Sequence, residues 1–230
     1  MLSLEQIEFL FTFCRKHFVY YYDVQIELVD HLANAVEEEI KADPKISFEK
    51  ALEKVHQSFG VMGFAPLVTE KQKIAEKQSR KLFWMLFKEQ FKWPKVITFF
   101  VLSAIMFYIF SAQAFLMKWF LAVIVLLSWP VFLFGILRLQ LIIRRSGKKF
   151  LVMNFSLISS LILLPTYLIN FSHLFKEVSF LNYTPENILI PGMSIFLSVY
   201  VITIIAVLQT FSSVRNSLYL NYPEVFSVIG

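Results

Sequence analysis

The chain has 230 residues, 57% of them hydrophobic, with 26 Phe and only 6 Gly. Ordinary soluble domains hold roughly 45–50% apolar residues, so the composition speaks against a wholly soluble protein. The formal net charge is +5, yet through Glu70 twelve acidic residues outweigh six basic ones; this first part is a poor candidate for nucleic-acid binding, because phosphate neutralisation supplies most non-specific affinity.

Up to about Pro94 the sequence mixes charges with apolar residues at helical spacing, and beyond it come long apolar runs with charges kept to the gaps. That shift marks a boundary between a soluble head and a membrane domain. The opening MLSLEQIEF carries acidic residues where a signal peptide carries basic ones, so the head is expected to stay in the cytoplasm. Cys14 is the sole cysteine, which excludes an intrachain disulfide and a Cys-based zinc site. Its place in the series Ile7, Leu10, Phe11, Cys14, Phe18 predicts a buried thiol rather than a nucleophile.

Three helices are expected in the head. Ser3 with Gln6 three residues on forms a capping box, opening a helix to about His17. Asp23 is placed to cap a second, which runs to about Ala42 before Asp43-Pro44 stops it. Ser47 caps a third along Phe48, Ala51, Leu52, Val55 and Phe59, with Gly60 at its end. Their apolar faces bury one another only as a small bundle, and a core of this size is marginal by itself.

On the second helix, Val29, Leu32, Val36 and Ile40 point to the core. Asp23, Glu27, Asp30 and Asn34 project the other way, with His31 one turn from Glu27. A metal site here would need more nitrogen or thiolate ligands than His31 supplies, since His17 and His56 converge only through the fold. No nucleophile, pocket or cofactor motif marks a catalytic centre, so neither an enzyme nor a cofactor is expected. Two readings stay open for this face: an ordinary solvated surface, or a surface that recognises a protein partner through Asp23, Glu27, Asp30, His31 and Asn34.

The segment ELVDHLANAVEEEI, its Pro-bearing turn, SFEKAL and QSFGVMGF together resemble the HAAS-type helical domains of bacterial membrane proteins. The Leu-x-x-His-Leu-x-x-x-Val/Ile-Glu pattern and the Glu-x-Ala-Leu to Phe-Gly segment carry the likeness, over about residues 5–65. It implies a cytoplasmic signalling or regulatory module fused to variable spans, associated with PadR-like repressors or with membrane transport systems. It brings no catalytic residues.

From Lys71 to Lys95 eight basic residues face only Glu76 and Glu89. Pro66 suits a first helical turn, and the pattern runs unbroken to Pro94. Lys77, Lys81, Lys88, Lys92 and Lys95 share a face, beside a stripe of Phe83, Phe87 and Phe91. Such a collar either lies on anionic lipid, at about 1 kcal/mol per basic residue, or is the positive flank of the first span.

Four apolar segments, 96–112, 119–137, 150–171 and 188–211, are long enough or nearly so to cross roughly 30 Å of hydrocarbon. The loop RRSGKK places Arg144, Arg145, Lys148 and Lys149 between the second and third, where they are expected to meet lipid headgroups. The alternation of basic loops puts both termini and this loop inside. The expected architecture is therefore all-α: an acidic head (1–65), a basic amphipathic helix (66–95) and a four-span bundle (96–230) with a cytoplasmic tail, in a bacterial inner membrane. No charged residue or His falls within the spans, which disfavours ion coupling. Asn154, Asn170, Thr203 and Gln209 are read as interhelical glue, and Pro130 and Pro165 as tolerated kinks. The expected role is regulatory and non-enzymatic. The alternative is a small transporter or accessory subunit with the head as cap, and homo-oligomerisation stays open.

Overall fold

The computed structural model describes residues 1–113, 147–151 and 186–226, together with scattered positions between 123 and 141. Every regular element among them is a helix: α1 (Leu4–Lys16), α2 (Tyr22–Ala42), α3 (Phe48–Ser58), α4 (Ala65–Glu89), α5 (Val96–Ala112), α6 (Glu186–Asn221) and the short α7 (Pro223–Phe226). The expected spans 119–137 and 150–171, with Asn154, Asn170 and Pro165, fall wholly or largely outside the described residues.

Residues 1–77 and 147–151 belong to one compact unit, and 78–113 with 186–226 to a second, so the division falls inside α4 rather than at Pro66. In the first unit α1 starts at the expected capping box: the Ser3 hydroxyl accepts the Gln6 N–H and the Gln6 side chain accepts the Ser3 N–H. The helix ends in a Schellman arrangement. Val19 donates to the Cys14 carbonyl and Phe18 to that of Arg15, with Phe18 itself at φ 66°. Ser47 caps α3 through the Lys50 N–H.

The core of this unit joins Leu10 and Cys14 of α1, Val24, Leu28, Leu32 and Val36 of α2, and Ala51, Leu52 and Val55 of α3. Burying each Leu or Val contributes about 1.5–3 kcal/mol, which makes the apolar stripe of α2 the main source of stability. Leu67, Val68 and Ala75, on the first turns of α4, lie against this cluster. Leu151 completes it, brought in from far along the chain. Burial in this core pushes the Cys14 thiol up to about 12, which makes it inert as a nucleophile near neutral pH.

In the second unit α5 packs along α6, with Met106, Phe110 and Leu197 buried between them. The apolar segment of α6, Ile190–Asn221, is 32 residues long, and its most apolar 18-residue stretch has a mean hydropathy of 2.2; the segment is long and apolar enough to cross a bilayer. At 1.5 Å per residue it measures about 48 Å, well beyond the hydrocarbon thickness. The expected stop at 211 is thus overrun: the helix carries on through Arg215, and Tyr219 meets Phe226 of α7 at 4.6 Å. The shorter apolar α5 has 17 residues. Four hydroxyls of α6, on Ser194, Ser198, Thr203 and Thr210, each donate to the carbonyl four residues back. This removes their need for partners in an apolar setting.

Candidate functional site

The second helix does not begin as the sequence suggests. Its N-cap is Tyr21, with no side-chain cap bond, and Asp23 lies within the first turn. The Asp23 carboxylate accepts the N–H of its neighbour Val24 at 3.1 Å, and both of its oxygens accept the N–H of Leu151, at 3.0 and 2.9 Å. Around this bond the segment 147–151 is fastened to the start of α2. Tyr22 donates its N–H to the Lys149 carbonyl at 2.7 Å, and Tyr21 and Lys149 form a parallel β-bridge. Phe150 meets the Tyr22 ring edge-on at 5.9 Å, and the Lys148 ammonium sits 3.5 Å from that ring's centroid. The expected capping role of Asp23 is therefore corrected. A carboxylate near a helix N-terminus favours the dipole wherever it points, and here the Leu151 N–H, shared between its two oxygens, draws it to the segment 147–151.

The other expected partner-facing residues divide. Asp30, His31 and Asn34 are exposed on α2, opposite buried Leu28, Leu32 and Val36. Glu27 forms an ion pair with Lys71 of α4, and His31 Nε2 lies 3.9 Å from the same carboxylate. So Glu27 ties α4 to the bundle while Asp30, His31 and Asn34 line the surface beside it. Of the collar, Lys77, Lys81, Lys88 and Lys92 are exposed, and Lys95 pairs with Glu89 at 2.7 Å. That pairing lowers the Glu89 carboxyl below its ordinary range, chiefly through the hydrogen bond from Lys95. The stripe of Phe83, Phe87 and Phe91 forms a continuous ring ladder, at 6.0 and 5.3 Å. Arg144 and Arg145 lie outside the described residues.

Two features were beyond sequence reasoning. His17, at the end of α1, and His56, on α3, meet with ring centroids 4.1 Å apart and planes tilted by 46°, walled by Phe13 and Phe64. His56 Nε2 is buried and has no hydrogen-bond partner among the described residues. Burial, and then the neighbouring His17, hold this imidazole below its ordinary value. Among the described residues no group of three His, Cys, Asp or Glu side chains lies close enough to hold a metal ion. The second feature is a groove of about 640 Å³ between α1 and the docked segment, lined by Arg15, Tyr20, Tyr22, Lys148 and Lys149 among others. No periodicity could announce it, because its two walls are far apart in sequence.

In the second unit Gln209 is a bridging group. Its Oε1 accepts the Gln90 Nε2 N–H at 2.9 Å, while Gln90 also donates to the Leu86 carbonyl at 3.3 Å. Thr203 turns back to its own helix. No protein-family model, no curated protein and no solved structure matches the chain.

Proposed function

We propose that the chain is a non-enzymatic regulatory protein of a bacterial inner membrane, whose HAAS-like cytoplasmic head binds a protein partner. The observation that carries this reading is the exposed polar row Asp30, His31 and Asn34 on α2, set opposite the buried core face and steadied by the Glu27–Lys71 pair. A rigid helix with an exposed acidic face is a common way of docking a partner helix. A PadR-like repressor or a membrane transport system is the class of partner the family likeness supplies.

The four-span arrangement is part of the same reading. Only 44% of the most apolar window of α6 is buried, unlike the core helix of a soluble protein. Phe100, Val101, Ile105, Phe107 and Tyr108 of α5 are exposed, as are Leu126, Leu127, Leu133, Phe134 and Leu137. Soluble monomers rarely expose apolar patches beyond a few hundred Å², whereas lipid requires them. The segment 147–151 packs within the same unit as the head, which supports assigning both to one side of the bilayer. This fits an even number of crossings before each cytoplasmic segment. The transporter alternative gains no polar path from the described part of α6, where hydroxyls bond to their own carbonyls and Gln209 to Gln90.

The test is affinity capture of the full chain from gently solubilised membranes, comparing the unaltered protein with Asp30→Lys/Asn34→Lys. Both side chains are exposed, so folding is retained. Loss of one specific partner supports the reading, and an unchanged set of partners refutes this face.

A further inference from the structure

We propose that the groove between α1 and the docked segment binds a phosphate monoester, and that a lipid headgroup is its source. The inference does not depend on the partner face of α2. Three cations, Arg15, Lys148 and Lys149, line the groove against one carboxylate, that of Glu8. Two of the three side chains are held in place before any ligand arrives. The Thr12 hydroxyl donates to the Glu8 carbonyl at 3.1 Å and accepts from Arg15 Nη2 at 2.9 Å, which orients the guanidinium. The Lys148 ammonium is seated on the Tyr22 ring, and the Lys149 backbone is held by the Tyr22 N–H that its carbonyl accepts. An oriented guanidinium sharing a groove with two lysines suits a doubly charged tetrahedral anion, because its planar fork offers two parallel N–H bonds. At about 640 Å³ the groove holds a headgroup together with water.

A second observation points to lipid as the source. Tyr20, which lines the groove, is 54% exposed, and Phe18, its ring 6.3 Å away, is 77% exposed. Phe18 is held at a positive φ that bulky residues avoid. Strained residues of this kind collect at binding sites, where the surroundings keep them in place. Exposed aromatic rings next to basic groups are the pattern of a protein surface that meets headgroups. The expected apolar segment 150–171 begins next to Lys149, so the cations are close in sequence to a span. Because the segment 147–151 forms one wall, an anion bridging Arg15 to Lys148 and Lys149 would hold that segment on the head.

The experiment uses the full chain in phosphatidylcholine nanodiscs, with hydrogen exchange read at the Tyr22 and Leu151 amides. Adding phosphatidic acid to the bilayer should slow exchange at both amides roughly tenfold, as a bridging charged contact adds to the bonds already there. Glycerol phosphate in solution is the second arm; slowing by it alone keeps the phosphate site and overturns the lipid source. Arg15→Gln/Lys149→Gln should abolish the slowing, measured against the same variant without ligand, and Lys41→Gln/Lys45→Gln should retain it. Lys149→Gln alone, with its exposed side chain and intact backbone bond, gives an independent reading of the same loss. No slowing in either arm, or slowing that survives in the groove variants, overturns the proposal.

Discussion

Phe18 carries the clearest local cost in the head. Its φ of 66° places a bulky side chain in the left-handed region, where the Schellman arrangement at the end of α1 asks for glycine. Phe18→Gly is therefore expected to stabilise the head by about 1 kcal/mol, read as a higher melting temperature, because the steric penalty of an L-residue there is about 1–2 kcal/mol. His56 gives a prediction of opposite kind. Its imidazole is held below its ordinary value by burial and by His17, so the folded state favours the neutral form. The unfolded chain then takes up more protons once pH drops below about 6.5, and stability declines as pH falls towards the folded value. Melting of the full chain should occur at lower temperature at about pH 5 than at about pH 7.5, and His56→Gln should flatten that difference. A dependence unchanged by the substitution would assign the acid sensitivity to other groups.

Among the elements, the three helices of the head were legible because their signals are local. Ser3, Gln6 and Ser47 act within one turn, and the apolar spacing of Leu28, Leu32 and Val36 marks the buried side of α2 directly. The sequence could not show where Asp23 would turn. Its position invites a capping role, but the N–H it accepts belongs to Leu151, 128 residues away. The same distance hid the groove, and the meeting of His17 with His56 needed the fold of α1 on α3. The helix end of α6 was hidden for a different reason: Ser212, Ser213 and Arg215 end the apolar run without ending the helix, since none of them breaks helical geometry. Asp23→Ala tests the docked segment. Leu151 is 5% exposed, so its N–H would be left buried without a partner, at a cost of about 1–3 kcal/mol. Exchange at the Leu151 amide should rise sharply while α3 amides change little; equal protection in the variant would show that the bond contributes nothing.

At the scale of the whole molecule, the head is not built from one continuous stretch. Residues 1–77 form its body, and 147–151 supply a core residue and five further contacts to Tyr21, Tyr22 and Asp23. This fixes a topological prediction that charge bias alone supports less firmly. In a Cys14→Ser background, Asp30→Cys and Lys149→Cys should be labelled from the same side of sealed membrane vesicles; labelling from opposite sides would rule out the docked segment in the membrane-embedded protein. The discontinuity also bears on biosynthesis. A ribosome releases the first helices long before it reaches Leu151, with residues 78–146 made in between. The amide that satisfies Asp23 thus arrives late, so the head closes only after a long intervening stretch of the chain has been synthesised.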